Sequence, residues 1–418
     1  MGDGRDLDRL NRLLQLFSRG LPRNEGAVLP YRTFGIDRES AIALVGQNVR
    51  LFETAVDEWL DLIPGAKGTL SRKKLLDELI PLVRTKVNNG ENFTEDESDQ
   101  LKRTISDSPL RQFRVLRRIY GVALRSGSAP VQMGDFLVHH GGWVPDQIRE
   151  HPFFSAMQGR EDAEESFIEC RVQARDSDKA GDLADVLFYR FELLMRLLIG
   201  RRTRSFEVGI LNYVGPQMRG RIVLLDDGAP VSLGSSWEGA MERIPINAPF
   251  FSNLSAAFAR LFELISRKNN ELQKHVVRCA EWTGQAMADP NAASALVKAA
   301  IALEVMFSAN EKGVITPSIM AQIAESCAFL LGCPEASPLE IEREVRRLYG
   351  VRSAVVHSGK DSVEEEDLDS LIEICRKVII VLLSDEELVR IENMVSLSDY
   401  FKRRKFAGAH SQMPRSGT

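Results

Sequence analysis

Arg352 and His357 stand with four residues between them in the stretch LYGVRSAVVHSG, residues 348–359, inside an otherwise apolar helical segment. The pairing of types is what matters chemically. A guanidinium is a permanent cation that can hold a phosphate through two parallel hydrogen bonds, and an imidazole can move a proton near neutral pH. Together they supply what RNA cleavage without a metal requires, because RNA carries its own nucleophile in the 2′-hydroxyl. One group takes or gives the proton and the cation stabilises the charge that builds on phosphorus. An Arg-x4-His spacing is common by itself, so the helices around it must carry the argument. Five residues on a straight helix subtend about 500°, which leaves the two side chains about 140° apart. Either the helix distorts near Gly359 or residues of two copies converge on one phosphate.

From about Pro249 to residue 405 the pattern is helical, with helices expected at 250–267, 271–288, 291–308, 317–332, 338–357, 365–384 and 386–404. Thr316-Pro317 and Ser337-Pro338 each offer a capping hydroxyl followed by proline at the first helical position. Ser337 with Glu340 reads as a capping box, and Gly332 and Gly359 as C-terminal caps. Short connections imply an antiparallel up-down bundle. Residues 1–160 read as helical, with Leu10, Leu13, Leu14 and Phe17 at amphipathic spacing and Ala41, Leu44, Val45, Val49, Leu51 and Phe52 in the next segment. Between them, residues 165–248 read as a small α+β module. Phe167, Glu169, Arg171 and Gln173 alternate with apolar partners as in a strand, a helix spans Lys179–Leu198, and Phe206–Asn212 and Arg221–Leu225 are two further strand candidates. Residues 406–418, rich in Gly, Ser and Pro, read as a disordered tail. The fold class expected is mainly α.

Composition narrows the function classes. A hydrophobic share of 44% and a charged share of 27% over 418 residues are those of ordinary globular domains with full cores. The net charge of −5 argues against binding nucleic acid through bulk charge, so any RNA contact must be local. The five cysteines form no C-x-x-C pair and read as reduced core residues of a cytoplasmic protein. The N-terminus MGDGRDLDRL has no secretory apolar region, and the longest apolar run, Val378–Leu383, is too short for a bilayer. No metal or cofactor is expected. His139-His140 with His151 lack metal-ligand spacing, and there is no P-loop, dinucleotide fingerprint or nucleophile elbow. Arg111, Arg114 and Arg118 fall on one face of an expected helix, with Arg201 and Arg202 a second cluster. Either could grip phosphates, though solvated faces and ion pairs with the many acids are the better account of them.

The order ALVKAAIALEVMFS (295–308), IMAQIAESCAFLL (319–331), REVRRLYGVRSAVVHSG (343–359) and DLDSLIEICRKVIIVLL (367–383) resembles the HEPN superfamily, and within it the ApeA-like group. The resemblance covers about the last third of the chain. It implies a dimeric, metal-independent endoribonuclease of a defence or toxin system, with Arg352 and His357 of both protomers lining one cleft. Glu304 is then placed to orient Arg352, Tyr349 to pack the site or contact a base, and Ser353 to fill the position after the arginine. Ser353 departs from the Asn, Asp or His of many members. His357 is followed by Ser358-Gly359, unlike the His-x-Tyr branch that modifies partners. The other outcome is a non-catalytic bundle that dimerises or binds nucleic acid without cutting it. In either case residues 1–248 are expected to sense a trigger or restrain the bundle.

Overall fold

The computed structural model describes residues 5–20, 31–35, 40–125, 127–140, 143, 166–199, 208–211, 217–224, 230–238, 244–245, 256–307, 319–333, 336–359 and 362–410. The protein is mainly helical, with small sheets that are largely antiparallel. It divides into two compact units, 1–115 with 171–184, and 116–170 with 185–418.

The first unit begins with α1 (Arg5–Leu14), followed by β1 (Ser18–Arg19), β2 (Tyr31–Phe34) and β3 (Ile42–Val45), a sheet ordered β1-β3-β2 with antiparallel pairs. Helices α2 (Gln47–Leu62), α3 (Arg72–Asn89) and α4 (Glu95–Ser106) complete it. Its core joins Leu10, Leu13, Ile42, Phe52, Trp59 and Leu79. The segment from Ala41 to Phe52 is therefore not one amphipathic helix. Ala41–Val45 is an unbroken apolar run, which suits a strand covered on both faces, and Gly46 at φ 61° turns the chain into α2.

The second unit holds the rest. Strands β4 (Arg111–Ile119) and β8 (Ser166–Ala174) contribute to both units. Between them in sequence come β5 (Val122–Ala123), β6 (Val131–Met133) and β7 (Phe136–His139). A four-stranded sheet runs β4-β8-β7-β6, with Leu137 opposite Glu169 and His139 opposite Phe167. So the expectation of a helical 1–160 region fails for 111–139, and the sheet is not confined to 165–248. The reason is non-local. β8 supplies the hydrogen-bond partners that make neighbouring strands of segments whose own spacing is ambiguous.

Helix α5 (Ser177–Ile199) follows β8 as expected. β9 (Gln217–Leu224) contains nearly all of the second strand candidate and pairs antiparallel with β10 (Pro230–Glu238). Of Phe206–Asn212 only 208–211 are described, and Gly209 makes a lone bridge to Tyr120. β11 (Ile244–Pro245) pairs parallel with β5.

The C-terminal helices are α6 (Ala256–Leu264), α7 (Glu271–Ala288), α8 (Ala292–Phe307), α9 (Ile319–Leu331), α10 (Pro338–Ser358), α11 (Glu365–Ser384), α12 (Glu386–Val389) and α13 (Met394–His410). α8 packs on α7, α10 and α11, and α9 on α10. The helix expected at 386–404 is two, because Asp385 caps α12 and Asn393 starts α13 by accepting from Ser396 N–H at 2.8 Å. Gly284 lets α7 approach α5, since a Cβ there would lie 2.5 Å from the Leu193 carbonyl oxygen. Thr316-Pro317 lie outside the described residues. Of the expected disordered tail 406–418, residues 406–410 belong to α13, which runs to His410, and 411–418 lie outside the described residues. The Ser337 capping box does not form, as its hydroxyl makes no cap bond and its carbonyl takes the N–H of Glu340 and Ile341 instead. Real boxes close at Asn270–Gln273 and Thr94–Glu97. Gly359 caps α10 at φ 64°, donating to Ala354 O. Gly332 is needed for room rather than for φ: a Cβ there would meet Pro338 at 2.7 Å.

Cys279, Cys327 and Cys375 are fully buried among these helices and Cys170 is buried in β8, whereas Cys333 is exposed, against the expectation of a core residue. Burial pushes the Cys375 and Cys170 thiols up to about 12. Among the described residues no helix is long and apolar enough to cross a membrane.

Candidate active site

The placement of Arg352 follows from the buried stripe of α10. Val345, Leu348 and Tyr349 are buried, and 345, 348, 349 and 352 have the spacing of one helix face. Arg352 therefore continues a core-facing stripe toward α8, at 24% side-chain exposure. It meets Glu304 there, Nη2 to Oε1 at 3.1 Å, with Glu304 27% exposed. One turn earlier on both helices, Tyr349 donates its hydroxyl to Ala300 O at 3.0 Å. Tyr349 and Arg352 are thus two rungs from α10 to α8. Burial first, then the Glu304 charge, drives the Tyr349 phenol far above its usual range, so it stays a neutral donor.

Nη2 belongs to both edges through which a guanidinium can give two parallel hydrogen bonds. Glu304 engages it, and Arg352 Nε is buried without a hydrogen-bond partner. A phosphate must therefore share or displace Glu304 to be held in two-bond fashion.

His357 sits in the last turn of α10, exposed, as is Ser353 one turn before it. α10 stays α-helical through Ser358, so the distortion near Gly359 that would swing His357 toward Arg352 does not occur. The exposed face carries Gly350, Ser353, Val356 and His357, and Arg352 points off it toward α8. Ser353 is a surface residue. The structure joins Arg352, Glu304 and the Tyr349 rung in one place and sets Ser353 with His357 on another side of the same helix.

The basic clusters fare differently. Arg111, Arg114 and Arg118 lie on strand β4, where alternation puts Arg114 and Arg118 on one face and Arg111 on the other, so they share no helix face. Their neighbour Arg117 is tied to Asp185 by two bonds of 2.9 and 2.6 Å. Arg201 and Arg202 lie outside the described residues, as does His151. His139 is buried on β7 with Nε2 3.2 Å from Glu169 Oε2, its ring stacked on Trp143 at 3.5 Å. That buried pair was missed in sequence. Its signal was an acid and a histidine at inward positions of two apolar strands, which becomes a pair only once β7 and β8 are aligned. Among the described residues no three His, Cys, Asp or Glu side chains gather as a metal site.

Compared with protein-family models, curated proteins and solved structures, the chain matches none.

Proposed function

We propose that this protein is a metal-independent endoribonuclease of the HEPN type, its C-terminal helices forming the antiparallel bundle of that superfamily. The observation that carries the reading is the disposition of α10. A half-buried arginine is held at 3.1 Å by an acid of the neighbouring helix, and an exposed histidine stands in the last turn. In this reading His357 transfers the proton at the 2′-hydroxyl or the leaving 5′-oxygen, and Arg352 stabilises the phosphorane. Glu304 orients Arg352 and yields Nη2 when phosphate arrives. Because the two side chains leave α10 about 140° apart, the site is built from two copies, His357 of one facing Arg352 of the other. Residues 1–248 respond to a trigger, in a defence or toxin setting.

A second reading has its own support. Glu304 already engages Arg352 and the arginine's Nε is closed off, as expected of a purely structural tie in a bundle that dimerises or binds nucleic acid without cutting. Incubation of RNA with the full chain in a chelating buffer separates the two. Wild type should cleave, and Arg352→Ala or His357→Ala should lower the rate about a hundredfold or more. RNA left intact by wild type with every trigger tried would leave the structural reading standing.

A further inference from the structure

We infer a second RNA-contacting site, a groove of about 230 Å³ between α9 and α13 that takes one unstacked base of a single strand with its flanking phosphates. Phe329 and Phe401 both line it, their rings 20° from parallel and their centroids 6.4 Å apart, the separation of an ordinary aromatic contact. A base therefore stacks on the groove side of this pair rather than between its rings. Phe307 closes the floor, meeting Phe401 at 6.2 Å.

The rim selects an anion. The chain as a whole is acidic, at −5, yet Lys402-Arg403-Arg404-Lys405 places four cations in succession on α13. Lys402 and Lys405, three residues apart, line the groove. Arg404 lies over the Tyr400 ring at 5.6 Å and bonds its hydroxyl, so it braces the helix instead. Lys405 is 2.6 Å from Glu325 and Lys402 is 3.9 Å from Asp399. These are exposed pairs, which contribute little, so a phosphate can compete for both lysines. Stacking rings with cations beside them are the combination that binds single strands without sequence preference. A duplex, whose bases stay stacked, cannot offer a base face to these rings. The ring-and-phosphate chemistry stands on the groove alone. The choice of an RNA strand over a free nucleotide rests on the nuclease reading above.

The test uses the full chain carrying His357→Ala, so that RNA survives, and a fluorescein-labelled single-stranded RNA followed by anisotropy over a salt series. Single strand should bind more tightly than duplex of the same sequence. Lys402→Ala with Lys405→Ala, both exposed positions, should weaken binding about tenfold and reduce the log–log salt slope by about 1.4. Phe401→Leu, which keeps the apolar volume but removes the ring, should cost about tenfold. A 5-bromouridine strand should photocrosslink to the peptides bearing Phe329 or Phe401. Equal binding of duplex, an unchanged slope in the lysine variant, crosslinks confined to other peptides, or full displacement by AMP at the strand's own concentration would each overturn the proposal. Loss of this binding while wild type still cleaves would remove the groove and leave the nuclease. Binding here without cleavage by wild type would do the reverse.

Discussion

Tyr349 and Arg352 are one turn apart on the face of α10 that meets α8, and they make different demands on it. The tyrosine is buried, its phenol neutral, and its one polar atom is satisfied by Ala300 O. Nothing is left over for a base. Tyr349→Phe should therefore cost about 0.5–1.5 kcal/mol of stability, the net value of one buried hydrogen bond, with RNA cleavage unchanged. Urea midpoints and cleavage rates of the same samples read both quantities. A cleavage loss larger than the stability loss would place Tyr349 at the substrate. The contact of Arg352 with Glu304 was anticipated only through the resemblance of the helix order, since which residues face one another depends on how α8 and α10 pack. The exposure of Ser353 was not. It depends on α10 having an uncovered side, which no local spacing reports.

At the scale of an element, α4 shows how a helix start becomes a charge network. Thr94 accepts the N–H of Glu97 while Glu97 accepts the N–H of Thr94 at 2.9 Å, and the same carboxylate takes Lys86 Nζ of α3 at 2.7 Å. The Lys86 hydrogen bond and the Thr94 backbone hold the Glu97 carboxyl below its ordinary 4.5. The folded state thus prefers the charged form. Its contribution is complete above the unfolded value, and is lost as pH falls below 4.5 through the lower folded pKa. Glu97→Gln keeps an acceptor for the cap but loses the charge facing Lys86. It should be less stable than wild type at neutral pH, with the difference closing as pH is lowered past that range. Urea midpoints at several pH values check this, and a gap that does not narrow in acid would contradict it. Thr94-x-x-Glu97 closes its box, whereas Ser337-x-x-Glu340, which looks alike and was the one expected, forms none. Pro338 and the close seat it takes on Gly332 decide that start of helix instead. The arginines of β4 failed for a related reason. A spacing of three and four residues fits a helix, but pairing with β8 outweighed it.

For the whole molecule, the nuclease reading stands or falls on how many copies build one site. On a single α10 the guanidinium turns toward α8 and the imidazole stays exposed, so one chain does not present both to one phosphate. Arg352→Ala and His357→Ala chains, each inactive alone, should therefore complement when mixed after co-expression or refolding. With random pairing, half the dimers are mixed and one of their two composite sites is intact, so activity should return to about a quarter of wild type. Cleavage assays on the mixture, with size-exclusion to show dimers, read the result. Activity staying at the level of the separate variants would show that each site is drawn from one chain.

The sequence by itself determined the C-terminal helices nearly to the residue, from α7 through α11, because amphipathic periodicity with Gly359 and Pro338 at the ends is local information. It also determined that Arg352 and His357 leave a straight helix on different sides. Only the tertiary structure decided which side is covered. It made strands of 42–45 and 111–139, brought His139 to Glu169, and set Phe329 against Phe401 with lysines at the rim. Each of these depends on a partner distant in the chain, and hydrogen-bond pairing and burial against such partners override what neighbouring residues prefer.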